Sequence, residues 1–234
     1  MTFSILTFDE VQGVYAAAAA TGSLCVGGWV LRGDIEAGLI ASQGTSPSSF
    51  WRDGCLRAMY NGDSAQKAIQ SVIEKDSGRD HRQVIALDKS GNAFGFTGMN
   101  SVSHASHIIE ENLAVGGNMI DGVHVLEAMK EQAQNGTVPI DQRMINALKA
   151  GKAAGGDTRG ILSAALLILS PNQPPLDLRI DYSFDPITDL QNLLKQSKQS
   201  PYFEWLSEVP VECDRQRAPQ ASGLVEKRKL NQEI

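Results

Sequence analysis

Residues 2–22, "TFSILTFDEVQGVYAAAAATG", decide how the chain is read. In "TFSILTFD" Phe3, Ile5 and Phe8 do not hold one parity, yet the run is β-branched and aromatic enough for a buried strand. "DEVQG" makes a turn ending at Gly13. "VYAAAAATG" is ambiguous on propensity, because alanine is the best helix former. Between Gly13 and Gly22, however, there is room only for a short helix, and the segment follows a hairpin turn. It reads as a strand whose small side chains let another layer, or a substrate, approach closely.

The pattern continues outward from this hairpin. "LCVGGWVLR" and "AGLIASQG" read as two more short strands. "SSFWRDGCLRAMYNG" is a helix stopped by Asn61-Gly62, and "DSAQKAIQSVIEKD" is a second helix with Asp63 or Ser64 as N-cap. "RQVIALDKSGNAFGFTG" is a hairpin about Ser90-Gly91-Asn92, and "ENLAVGGNMI" is a further strand. Two amphipathic helices follow, one with Val123, Leu126 and Met129 on a single side, the other with Met144, Ala147 and Leu148. "SAALLIL" and "LDLRIDYS" are strands. "DPITDLQNLLKQSKQ" is a late helix capped by Asp185, with Pro186 at its first position. Hairpins imply antiparallel sheet, and helices arriving in pairs suit layers outside it. The expected class is α+β: two sheets face to face with helices outside each, a four-layer αββα sandwich over residues 1–209. Residues 210–234 are polar, mixed in charge and aperiodic, and read as a mobile tail.

Composition narrows the function classes. The 234 residues carry a net charge of −6 and are 42% apolar. An acidic chain with no dense basic run gives no support to binding nucleic acid or an anionic membrane. The longest apolar runs, "VYAAAAA" and "AALLIL", fall far short of the roughly 20 residues a membrane helix needs. No cationic region precedes the first apolar stretch, so it does not read as a signal peptide. Cys25, Cys55 and Cys213 are odd in number and lack C-x-x-C spacing, so a reducing compartment, the cytoplasm, is expected. Cys25 and Cys55 read as small buried thiols. His104, His107 and Glu110 in "HASHIIE" would suit a metal only on a helix, and the expectation is no metal and no cofactor.

The segments "TFSILTFD", "CVGG", "VIALDKSG" with "FGFTG", "LAVGGNMI" and "KAAGGDTRGILSAALLI" stand in this order and spacing over residues 2–195. Together they resemble the family called domain of unknown function 1028. That family is placed among the N-terminal nucleophile (Ntn) hydrolases, with the proteasome β-subunits and aspartylglucosaminidases. The resemblance implies the αββα sandwich, a homodimer, and an amidohydrolase acting on a small-molecule amide.

The resemblance also gives Thr2 a role. Amide hydrolysis needs a nucleophile, a base and donors for the oxyanion. Once Met1 is removed, Thr2 carries a hydroxyl and a free α-amine whose pKa is about 7.7–8.0, so one residue supplies nucleophile and base. Otherwise Thr2 merely begins a strand. In "VGGNMI", Gly116 and Gly117 permit positive φ, so their N–H groups could face a reacting carbonyl. Asn118 adds two side-chain donors, or else bonds backbone at a strand end. In "GGDTRG", Gly155 and Gly156 form a glycine-rich cradle, Asp157 could orient the Thr2 amine, and Arg159 could hold a substrate carboxylate. The plainer reading is a tight helix-to-strand connection with an Asp–Arg pair. Thr21 and Ser23 are candidates to bond the Thr2 amine. Where many relatives carry Ser followed by a basic residue, this chain has Thr21-Gly22. "SFWRDG" places Trp51 in the core or on a substrate-lining loop with Arg52. A catalytically silent ligand-binding or assembly protein on the same fold is the alternative function.

Overall fold

Strands β1 (Thr2–Asp9) and β2 (Val14–Thr21) pair antiparallel in unbroken register, from Thr2 opposite Thr21 to Asp9 opposite Val14. The turn closes at Gly13, whose φ of 65° favours glycine. Every residue of β2 is buried. Ala16, Ala18 and Ala20 enter one core, while Ala17 and Ala19 enter another. A strand covered on both faces needs small side chains, and this tertiary demand overrides the helical propensity of an alanine run.

These features come from a computed structural model that describes residues 2–102, 104–156 and 159–219. After β2 come α1 (Val26–Trp29), β3 (Leu31–Asp34), β4 (Gly38–Gly44), α2 (Ser49–Tyr60), α3 (Ala65–Ile73), β5 (Arg82–Asp88), β6 (Ala93–Thr97), β7 (Ser106–Glu110) and β8 (Leu113–Asn118). Then follow α4 (Val123–Ala133), α5 (Ile140–Ala153), β9 (Ser163–Ser170), β10 (Gln173–Ile180), α6 (Pro186–Ser197) and α7 (Tyr202–Trp205). The described strands form two sheets, ordered β10-β9-β2-β1-β8-β7 and β3-β4-β5-β6. Every pairing in them is antiparallel.

Three apolar clusters hold these parts together. Phe3, Ile5 and Leu166 of the larger sheet pack with Leu126, Met129, Leu148 and Leu190 of α4, α5 and α6. Leu6, Ala17, Ala19 and Leu167 on its other face meet Leu39, Ala41, Ile85 and Leu87 of the smaller sheet. Ile40, Val84 and Ala86 on that sheet's far face pack with Trp51, Cys55, Met59 and Ile69 of α2 and α3. No helix among the described residues is long and apolar enough to cross a membrane.

Several expectations need correction. "LCVGGWVLR" holds the short helix α1 before β3, because Gly27 and Gly28 let that turn lie against the sheet. A Cβ at Gly27 would sit 2.9 Å from Ala165 Cβ, and one at Gly28 would sit 2.6 Å from the Arg179 guanidinium. In "HASHIIE" Ser106–Glu110 form strand β7 rather than a helix, and His104 lies just before it with a φ of 44°. Val123 is half exposed, whereas Leu126 and Met129 are buried. The stretch expected to be mobile is docked over its first residues. Val211 is buried, the Cys213 N–H donates to Pro171 O at 3.0 Å, and Arg215 pairs with Glu36 at 3.1 Å. Residues 220–234 lie outside the described residues.

The close approach of β8 to α4 has a measurable consequence. A Cβ at Gly117 would fall 2.9 Å from Leu126 and 3.0 Å from Ile120, both buried. Gly117→Ala should therefore lose about 1–3 kcal/mol by overpacking, read from the denaturant midpoint at unchanged m-value.

Candidate functional site

Each sheet ends in a row of polar side chains, and the two rows meet at one end of the space between the sheets. In the larger sheet the registers set Asn118, Thr2, Thr21 and Ser163 side by side across β8, β1, β2 and β9. In the smaller sheet Gln43, Gln83 and Thr97 are neighbours across β4, β5 and β6. All but Thr97 are buried. Buried polar groups are costly unless paired, so their partners define the site.

Thr2 is held from two sides. Its hydroxyl donates to Thr21 Oγ1 at 3.1 Å. Its carbonyl accepts from Gln43 Nε2 at 3.2 Å. The Gln43 amide also donates to Gln83 Oε1 at 2.7 Å and accepts from Ser4 Oγ at 2.8 Å. Gln83 Nε2 in turn reaches Thr97 Oγ1, Ser106 O and Gly117 O at 2.8–3.0 Å. Thr97 Oγ1 lies 2.8 Å from His107 Nδ1. This chain of amides ties the start of β1 to both sheets. Sequence reading missed Gln43 and Gln83 altogether.

Thr2 opens onto a cavity of about 270 Å³, lined also by Thr21, Ser23, Gln43 and Arg159. One wall is the α1 turn, and its frame is held through the backbone. Ser163 Oγ accepts from Val26 N at 3.1 Å and donates to Ser23 O at 2.8 Å. Arg52 Nη1 donates to Gly28 O and Trp29 O at 2.7 and 2.9 Å, and Arg32 reaches Gly27 O and Gly28 O at 3.1 Å. Cys25 and Met119, next to this wall and to Asn118, take φ values of 60° and 59°. A left-handed non-glycine residue costs about 1–3 kcal/mol and tends to mark functional sites. A larger cavity, about 920 Å³, lies away from this row, among the β1–β2 turn, the β9–β10 hairpin and α7.

The candidates divide clearly. Thr2, Thr21, Asn118, Ser23 and Arg159 converge, with Thr21 bonded to the Thr2 hydroxyl. Asn118 is fully buried, and neither its Oδ1 nor its Nδ2 has a partner among the described residues. Gly116 and Gly117 are not oxyanion donors of the expected kind. They lie inside the ladder, paired with both β1 and β7, and neither has positive φ. Gly155 and Gly156 end α5, with N–H groups donating to Lys152 O and Gly151 O. Gly155 has φ of 103°, a Cβ at Gly156 would lie 3.3 Å from the Phe3 ring, and neither glycine lines the cavity. Asp157 lies outside the described residues. Trp51 belongs to the core beneath α2, and Arg52 serves the α1 turn. No trio of His, Cys, Asp or Glu among the described residues is placed to hold a metal. Glu110 pairs with Lys130 at 2.7 Å. Burial pushes the Cys55 thiol up to about 12, which leaves it inert near neutrality.

Burial also lowers the pKa of His107 from its ordinary value of 6.5. The unfolded chain then takes up a proton near pH 6.5 that the folded chain refuses, so stability should fall as pH drops below that value. His107→Gln should flatten this part of the profile, measured by urea unfolding between pH 5 and 7.5.

Two comparisons bear on this geometry. Residues 2–190 match the model of a "Family of unknown function (DUF1028)". The chain is also similar to the crystal structure of protein SPO2555 from Silicibacter pomeroyi, itself assigned to DUF1028. The two are 41% identical with a TM-score of 0.89, over 94% of this chain and 99% of that one. No curated protein matches the chain.

Proposed function

We propose that this chain, which belongs to the DUF1028 family, is an amidohydrolase of the N-terminal nucleophile type acting on a small amide, with Thr2 as its nucleophile. In this reading the two sheets and their helices are the four-layer αββα sandwich of that superfamily. The protein works in the cytoplasm as a homodimer. The observation that carries the reading is the position of Thr2. Thr2 lines a cavity at the start of a central strand, its hydroxyl bonded to Thr21, beside a buried amide, Asn118, that has no partner among the described residues.

The chemistry follows from that placement. Removal of Met1 exposes the Thr2 α-amine, which takes the hydroxyl proton as Oγ1 attacks the substrate carbonyl. The bond to Thr21 fixes the hydroxyl, and the bond from Gln43 to the Thr2 carbonyl fixes the backbone behind it. Asn118 Nδ2 is the donor for the developing oxyanion. The ammonium then protonates the leaving amine, the C–N bond breaks, and water releases the acyl group from Oγ1.

Intact mass of the protein from its native source tests the premise directly. The expected mass lacks Met1 and any acetyl group on Thr2. Retention of Met1 or acetylation would remove the base, and would leave a silent ligand-binding protein as the reading.

A further inference from the structure

The cavity at Thr2 joins a polar group of side chains to an apolar wall. Thr2, Thr21 and Gln43 are the polar part, and the wall is Leu24, Val26, Trp29, Val30 and Met119. Val26 and Val30 are buried, whereas Leu24 and Trp29 are left 54% and 56% exposed. Large apolar side chains left in water at the rim of a concave site mark a surface meant to be covered. The backbone that carries the wall is fixed in advance. Arg52 Nη1 donates to Trp29 O at 2.9 Å, and Ser163 Oγ accepts from Val26 N at 3.1 Å. A wall held in this way meets a ligand with little ordering left to do. No carboxylate lines the cavity among the described residues, and Arg159, which also reaches it, has an interaction of its own.

Size decides which half of an amide this wall receives. At about 270 Å³ the cavity has room for some nine waters at about 30 Å³ each, too little for both halves of a larger amide. The half that has to stay is the acyl group, because it is bonded to the nucleophile while the amine departs. We infer that the apolar wall is the acyl subsite, and that the substrates are amides with an uncharged, apolar acyl group of up to about nine heavy atoms, seated against Trp29 and Leu24. This deepens the hydrolytic reading and rests on it for the reaction. Thr2 Oγ1 bonds the acyl carbon, the C–N bond breaks, and the amine leaves with the hydroxyl proton. One water then adds its oxygen to the acyl carbon and returns a proton to Oγ1, so the products are an apolar carboxylic acid and a free amine. The ligand assignment itself rests only on the cavity.

Binding to the full-length Thr2→Ala chain separates the two claims, because it needs no turnover. The probes are N-phenylacetyl-glycinamide, N-acetyl-glycinamide, N-succinyl-glycinamide and N-acetyl-phenylalaninamide, titrated calorimetrically. The first carries the apolar group on the acyl side, the third carries a charge there, and the fourth carries the apolar group on the amine side. The first should bind at least about tenfold tighter than each of the others. Adding Leu24→Ala and Trp29→Ala together, checked for native circular dichroism, should bring it down to the level of the acetyl probe, while Trp29→Phe should keep most of the preference. Equal binding of the phenylacetyl and acetyl probes would overturn the assignment. So would a preference that survives the double substitution, tighter binding of the succinyl probe or of N-acetyl-phenylalaninamide, or no binding of any probe. If the binding pattern holds while the unsubstituted protein hydrolyses none of the four, the hydrolytic reading fails and the ligand class stands. If it hydrolyses them and the preference is missing, the reverse follows.

Discussion

Thr2→Ala should abolish turnover of any amide this protein hydrolyses, while Thr2→Ser should retain part of it. The alanine variant keeps the amine but lacks the attacking oxygen, and the serine variant keeps both. Thr2→Ala also loses the hydroxyl bond to Thr21, but the carbonyl bond from Gln43 is untouched, so the strand should stay in register. A second arm is as severe. One extra residue left ahead of Thr2 turns the amine into a peptide nitrogen, which is not a base near neutrality, and should be as damaging as losing the hydroxyl. The measurement is single-turnover hydrolysis across a panel of N-acyl amino acids, with intact mass to find an acyl adduct. An adduct on Cys25 or Cys55, or full activity in protein that retains Met1, would overturn the mechanism.

Asn118 should give the second largest effect, and the direction of two readouts matters. If its amide donates to the oxyanion, Asn118→Ala should lower the rate by about 10²–10³. Its side chain has no partner among the described residues, and a buried unsatisfied group costs about 1–3 kcal/mol. The similarly sized but apolar Asn118→Leu should therefore lose the same activity without losing stability. A polar group that merely satisfied the backbone would behave in the opposite way, with stability lost and rate kept. Measuring both quantities on both variants decides between a catalytic and a structural asparagine.

The sequence was informative where a local rule had few competitors. The turn at Gly13 and the shortness of the alanine run made β2 legible as a strand. Ser64 was legible as a cap, and its hydroxyl does accept from Lys67 N at 3.3 Å. Helix α1 was hidden because it is four residues long and its two glycines read as breakers. β7 was hidden because its residues are only half buried, so neither alternation nor an apolar run marks it. At the candidate site, Thr2, Thr21, Asn118 and Arg159 were legible as candidates because each stands next to a recognisable motif. Gln43 and Gln83 were missed because their meaning lies in a pairing 40 residues apart. A signal existed nonetheless. "GLIASQG" and "RQVIALD" each set a glutamine at one end of an apolar strand, and an antiparallel register brings those ends together. Gly116 and Gly117 were misjudged because glycine serves close packing as readily as a turn.

The α1 turn carries one more consequence. Arg52, Arg32 and Ser163 hold it through carbonyl and amide groups, so nothing in that frame depends on which side chains stand at positions 24 and 29. Leu24 and Trp29 line the Thr2 cavity, are about half exposed and, among the described residues, give no side-chain bond to that frame. On the proposed reading, exchange of these two rim residues changes what the cavity accepts and leaves the start of the first strand in place.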